Sequence, residues 1–323
     1  MTRMPQAPAG VVVLRTPALE AWVLPYGARL MQLWWLQAPE GPRPLSLGFA
    51  DPADYAQDSM SIGAVCGRYA NRIADARLDH QGQHWLLNAN HPIGHCIHGG
   101  REGMGQQIWQ VLSAHKDTVV LCLDLPDGHM GFPGRCLAQV TYQLDNQRLS
   151  WHASARVDAL CPLNLVQHSY WNLDAQADLR NHRLQVHATH YLPTDTRELP
   201  LQAVPVDGGC FDFRQPRLIS ADCIDRLDGA LRLDKQTYLR PVAHLSVDDL
   251  SMTVSTDRPW LHVYAAGGLK PTAQACGVAH LRGTAVCLET EDLPNGPALG
   301  APVWYGPGRN YEHRMVLDFT PQA

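Results

Sequence analysis

Across positions 149–157 apolar and polar residues alternate without a break: Leu149, Trp151, Ala153, Ala155 and Val157 on one side, Ser150, His152, Ser154 and Arg156 on the other. Side chains that repeat every two residues belong to an extended strand with one face in an apolar core and the other toward water. The run before it, Ala138, Val140, Tyr142 and Leu144 between Gln139, Thr141 and Gln143, has the same period. It reaches the second run through Asp145-Asn146-Gln147-Arg148, which makes the pair an antiparallel hairpin. Similar short runs stand at 11–14, 119–123, 184–190, 250–255, 261–265, 285–288 and 315–319, separated by turn clusters such as LPDGHMGFPG and PVDGGCFDF. No segment sustains the 3.6-residue apolar period of a helix, and 53–61 is at most a short one. The expected fold is therefore all-β, a large antiparallel β-sandwich, because the strand-helix alternation of a doubly wound sheet is missing. With no internal repeat, low-complexity linker or shift of composition, residues 1–323 read as one domain.

Charged residues make up 18% of the chain, below the usual ~25%, and the net charge of -5 is not gathered into blocks, so nucleic acid is not an expected partner. The N-terminus MTRMPQAPAG lacks the apolar stretch of a signal peptide, and no apolar run approaches the ~20 residues that span a bilayer. The expectation is a cytoplasmic protein without a membrane partner. The nine cysteines are scattered as singles with no CxxC pair. That fits neither a zinc ribbon nor a disulfide framework, and reduced, mostly buried thiols are expected.

Four places set ionisable residues inside apolar sequence, where burial costs several kcal/mol (~2–7) unless something pairs with them. In Gly67-Arg68-Tyr69-Ala70-Asn71-Arg72-Ile73, one arginine is expected to satisfy loop carbonyls. The Asn71-Arg72 pair is the better candidate for ligand contact, since a guanidinium fork suits hydroxyl pairs or a carboxylate. The segment 90–100 carries His91, His95, Cys96 and His98, an invitation to a metal reading. Pro92 and Gly94 make it a loop and no second ligand cluster follows, so no metal is expected; a histidine beside Gly99-Gly100 suits close approach of a small ligand. His168, in LVQHSYWNL, is either a hydrogen-bonded core histidine or a proton donor and acceptor near neutral pH. Finally, the strand AVCLETED runs into three acids. Glu289 and Glu291 share a face and raise each other's pKa, one route to a general base, while Asp292 points away. No GxSxG, Walker or GxGxxG motif is present, leaving serine hydrolysis, phosphoryl transfer and dinucleotide binding without support.

Taken in order, GAVCGRYANRIADARL, IHGG, LPDGHMGFPG with VTYQL, PLNLVQHSYWNL, YLPTD, FDFR, CLETE with its following proline, and PGRNYEH resemble the aldose 1-epimerase (galactose mutarotase) family along nearly the whole chain. The resemblance implies a galactose mutarotase-like β-supersandwich with the sugar site in an open cleft. It implies an isomerase that interconverts the α and β anomers of free hexoses such as galactose or glucose, without metal or organic cofactor, as a monomer or homodimer. The family's catalytic glutamate falls on Glu289, which would take the proton of the anomeric hydroxyl, and its catalytic histidine on His168, which would protonate the ring oxygen. Ring opening, rotation about the C1–C2 bond and reclosure then give the other anomer. Asn71, Arg72 and His98 match the sugar-hydroxyl contacts, and Tyr170 lies in the HSY portion of the site.

Several positions depart from that family pattern. Its binding aspartate aligns to Asp228 in LDGAL, with Asp225 as the alternative; a common glutamine corresponds to His262; Glu291 stands for another glutamine and Asn295 for an aspartate. Two other readings follow from the same scaffold. A hexose-phosphate epimerase would want basic residues at the cleft rim, for which Arg101, Arg197 and Arg214 are candidates. A silent sugar-binding protein would not need both Glu289 and His168.

Overall fold

A computed structural model of the chain describes residues 4–233, 238–272 and 275–322. The alternating hairpin forms as expected: strands Cys136–Asp145 and Arg148–Val157 pair antiparallel, with Asp145 opposite Arg148 across a two-residue turn. They lie within a nine-stranded antiparallel sheet. Tyr311–Pro321 follows Arg148–Val157 in it, then Leu250–Thr256, Arg240–Ser246 and Arg183–Val186. A six-stranded antiparallel sheet contains, in neighbour order, Tyr170–Trp171, Val286–Glu291, Trp260–Tyr264, Asp228–Arg232, His190–Tyr191 and Val204–Pro205. A four-stranded sheet is built from the N-terminal region, Val12–Arg15 to Arg43–Pro44.

One large apolar core joins the inner faces of these sheets. Val140, Leu149 and Trp151 of the nine-stranded sheet share it with Leu231, Leu261, Val263 and Leu288 of the six-stranded one. The period of two then decides what the other face of the six-stranded sheet offers. Because Leu261, Val263, Val286 and Leu288 point into the core, His262, Tyr264, Cys287 and Glu289 point to the opposite side. Thr290, on the core side, binds His313 of the nine-stranded sheet at 2.8 Å between Oγ1 and Nε2.

Two expectations are corrected and one is made more definite. The run at 184–190 is not one strand: Arg183–Val186 joins the nine-stranded sheet and His190–Tyr191 the six-stranded one, with a tight turn between them closed by Ala188 N donating to Val186 O. The helix at 53–61 is a short 3-10 turn, Pro52–Gln57, capped by Asp51. The cysteines are not all reduced, since Cys210 and Cys223 form a disulfide and the other seven are free. Thirteen residues apart, these two meet only because the 208–213 turn folds back on the 3-10 turn Ala221–Cys223, a contact that spacing alone does not reveal. No helix among the described residues is long and apolar enough to cross a membrane.

Leu288 is buried in the shared core, one residue from Glu289. Leu288→Ala is expected to cost about 2–5 kcal/mol. Urea unfolding should show this as a lower midpoint with an unchanged slope.

Candidate active site

A cavity of about 640 Å³ opens over the outer face of the six-stranded sheet. The pairing of Trp260–Tyr264 with Val286–Glu291 sets His262 directly opposite Glu289, and the pairing with Asp228–Arg232 sets Asp228 opposite Tyr264. His168 arrives from the neighbouring chain segment. Its backbone N–H donates to Ala64 O, and the next strand, Tyr170–Trp171, pairs Tyr170 with Cys287. The result is a histidine ring edge above a carboxylate: His168 Nε2 lies 3.5 Å from Glu289 Oε1, and both side chains are buried.

A second wall comes from the Arg72–Ile73 strand and its partner Cys96–Ile97. Asn71 sits at φ 62°, a left-handed conformation that asparagine tolerates, and its Oδ1 accepts from Arg72 N at 2.8 Å. His98 is fixed reciprocally: its N–H donates to Asn71 O and its Nδ1 accepts from Asn71 N at 3.3 Å, which leaves Nε2 as the ring N–H. The ring stands edge-on to His168 at 5.4 Å. Tyr170 stacks on His168 at 5.2 Å, but its hydroxyl donates to Met60 O, so it supports the imidazole more than it offers a polar group to the cavity.

The charges are arranged so that one histidine is a fixed cation and another is not. Burial alone would neutralise His262, yet its Nε2 lies 2.8 Å from Asp228 Oδ1 and its Nδ1 3.5 Å from Glu291 Oε1; the two acids raise its pKa well above the usual value. Packing around Asp228 works against its charge, but the hydrogen bond and charge of His262 outweigh this and bring its pKa down to about 2. His168 has no such partner. Burial, aided by the His262 cation, lowers its pKa to about 4. Burial raises that of Glu289 to about 8; His262 opposes the rise, while Glu291 and Asp228 add to it. The His168–Glu289 pair thus carries one proton between these limits.

Each residue singled out in the sequence now has a position. Asn71, Arg72, His98, His168, Tyr170, Asp228, His262 and Glu289 all line the one cavity. Asp225 does not: it is exposed and pairs with Arg282. Arg68 is the structural arginine, donating from Nη1 to Pro133 O and Gly134 O and from Nη2 to Pro126 O. Asp292 turns away to Arg258 at 3.0 Å, and Glu291 shares the Glu289 side of the strand. The space at Gly99 is not for a ligand. A Cβ there would lie 2.0 Å from Gly67 O, so the glycine admits another piece of the backbone. The histidines of 90–100 do not converge on a point, because His95 is spent on Asp75 N and Arg197 O.

Among the described residues, His168, Cys287 and Glu289 are the one His/Cys/acid group whose ligand atoms all lie within 4.8 Å of one another. A thiol, an imidazole and a carboxylate suit zinc. A metal held there would occupy both members of the proton-sharing pair. Sequence reasoning missed Tyr264, although it stands two residues from His262 and so had to share its face. It also missed Glu198, an exposed loop residue that meets Arg72 and His91 at the cavity wall.

The cavity sets a histidine against a carboxylate amid hydrogen-bonding groups, an arrangement able to give and take protons. Residues 10–318 match the family model described as aldose 1-epimerase, and the chain belongs to that family. It is 33% identical to the aldose 1-epimerase of Escherichia coli strain K12 over 98% of this chain and 96% of that one. It is 30% identical to the galactose mutarotase of Rattus norvegicus, over 95% of this chain and 93% of the relative. The crystal structure of the GalM/aldose epimerase homologue from C. elegans superposes with a TM-score of 0.90 at 26% identity, covering 97% of this chain and 99% of that one. The chain is thus a carbohydrate isomerase, an aldose epimerase of the mutarotase type.

The raised pKa of Glu289 has a stability consequence. An unfolded glutamate ionises near the ordinary value of 4.5, whereas the folded protein holds this proton to about 8. Between those values the unfolded state has released a proton that the folded state keeps, so rising pH favours unfolding. Glu289→Gln removes that contribution. Its Tm relative to wild type is expected to rise from about pH 5 to about pH 8 in thermal melts; a constant difference would mean that Glu289 ionises normally.

Proposed function

We propose that the chain, acting as a single unit over 1–323, interconverts the anomers of a neutral free hexose such as galactose or glucose in the cytoplasm, with protein side chains alone. The observation that carries this reading is the 3.5 Å approach of His168 Nε2 to Glu289 Oε1 inside a cavity walled by Asn71, Arg72, His98, Asp228 and His262. Mutarotation needs one proton removed from the anomeric hydroxyl and one delivered to the ring oxygen, two oxygens on the same carbon. A pair of groups sharing one proton can do both.

In the proposed cycle the sugar enters between the two groups, with the pair's one proton carried by His168. Glu289, now a carboxylate, takes the anomeric hydroxyl proton; the His168 imidazolium gives its proton to the ring oxygen, and the ring C–O bond breaks. Rotation about C1–C2 turns the aldehyde over, and reversal of both transfers closes the ring with the other configuration. The Arg72 guanidinium, the Asn71 amide and the His98 Nε2–H are donors for hydroxyls. The Asp228 carboxylate is an acceptor, held ionised by His262. Tyr170 backs the His168 ring.

Polarimetry on freshly dissolved sugar, corrected for spontaneous mutarotation, tests the pair directly. Glu289→Gln and His168→Asn are each expected to lower kcat by at least ~10²-fold. Because they act as a unit, the double variant should lose less than the product. Glu291→Gln should be mild, and a collapse there with normal Glu289→Gln turnover would move the base two residues along the strand.

The pH profile follows from the count of protons. Below about 4 the pair holds two and above about 8 none, so kcat/KM is expected to be level between limbs near those values. A profile with no alkaline limb would remove Glu289 from the titrating pair.

A further inference from the structure

At the cavity wall the guanidinium proposed to bind sugar hydroxyls already has an anionic partner. Arg72 Nη2 donates to Glu198 Oε2 at 2.5 Å, and His91 Nε2 lies 3.3 Å from the same oxygen. Arg72 and His91 each keep only 15% of their side-chain surface exposed, against 50% for Glu198, so the carboxylate reaches in from the rim onto two wall residues. Its loop does not need that side chain for its shape. Asp195 Oδ1 accepts from Arg197 N at 2.8 Å and Leu199 N at 2.9 Å, Asp195 N donates to Leu199 O, and His95 Nε2 lies 3.1 Å from Arg197 O. Glu198 itself adopts φ 61°, a left-handed conformation that a glutamate takes up at a cost. The contact it makes with Arg72 is therefore separable from the fold of the loop.

We propose that Glu198 sets the charge of the substrate this enzyme accepts: by occupying Arg72 it admits neutral hexoses and excludes phosphorylated or acidic ones. The proposal rests on the mutarotase reading and names a determinant of its substrate class. A guanidinium has five N–H donors. One carboxylate leaves some of them for hydroxyls, which do not compete for the charge. A phosphate does compete, and would have to displace Glu198 or lie against it as a like charge. Two other cations of the cavity region are already committed, His262 to Asp228 and Glu291 and Arg29 to Asp58 at 2.7 Å, while Asp228 adds acid to the lining. Arg101 also lines the cavity, so releasing Arg72 would leave two guanidinium groups there for an anionic sugar.

The test measures kcat/KM for glucose and glucose 6-phosphate by polarimetry at fixed ionic strength, with wild type, Glu198→Gln and Glu198→Ala. Inorganic phosphate is titrated as an inhibitor of glucose turnover in all three. In both variants the preference ratio is expected to move toward the phosphorylated sugar by about tenfold or more, the size of one charge-assisted contact, and phosphate inhibition should tighten alongside it. Ratios and inhibition constants within about twofold of wild type would overturn the proposal, as would a wild type that uses both sugars equally. A wild type inactive on every aldose would instead sink the mutarotase reading. Calorimetric titration of inorganic phosphate would still decide the role of Glu198: tighter binding in the variants supports it, and unchanged binding rejects it.

Discussion

The antiparallel register that sets His262 opposite Glu289 is the constraint on which the cavity depends. A slip of one residue would carry both side chains into the core and expose Leu261 and Leu288 in their place. What prevents the slip is apolar. Leu261, Val263, Val286 and Leu288 bury against the strands of the nine-stranded sheet, and each of them fixes the direction of a polar neighbour. The chemistry on the outer face is held in place by packing on the inner one.

Charge completes what register begins. Asp228, Glu289 and Glu291 would repel one another across the six-stranded sheet if nothing intervened. His262 intervenes as an imidazolium, 2.8 Å from Asp228 and 3.5 Å from Glu291, yet burial still raises the pKa of both glutamates, that of Glu289 to about 8. His262 Nδ1 lies 3.5 Å from Glu291 Oε1, so two positions expected to depart from the family pattern meet in the fold.

Much of this was legible in the chain. The period of two in 138–144 and 149–157 gave the hairpin, and the strand AVCLETED gave the shared side of Glu289 and Glu291, because a pleated backbone leaves no choice about which residues share a face. The ordered motifs carried the pairing of His168 with Glu289 across 121 positions, as |168 − 289|, which no local rule reaches. Spatial accidents of loops were not legible. Nothing in YLPTDTRELP says that Glu198 will meet Arg72, and nothing in the spacing of Cys210 and Cys223 says that two turns will fold together. Arg68 and Arg72 look alike in sequence. They differ because three carbonyls surround the first and the cavity opens beside the second.

The bond between Thr290 and His313 has a bearing on how loss-of-function data for this enzyme would be read. His313 is fully buried in the nine-stranded sheet, with Nδ1 2.9 Å from Leu165 O, so that ring nitrogen carries the hydrogen and Nε2 receives the Thr290 hydroxyl. Thr290 lies between the two glutamates on the strand that bears them. A survey scoring only lost turnover could not tell His313 from a second catalytic imidazole. Its work is instead that of a distant brace, holding the backbone from which Glu289 projects without ever meeting a sugar.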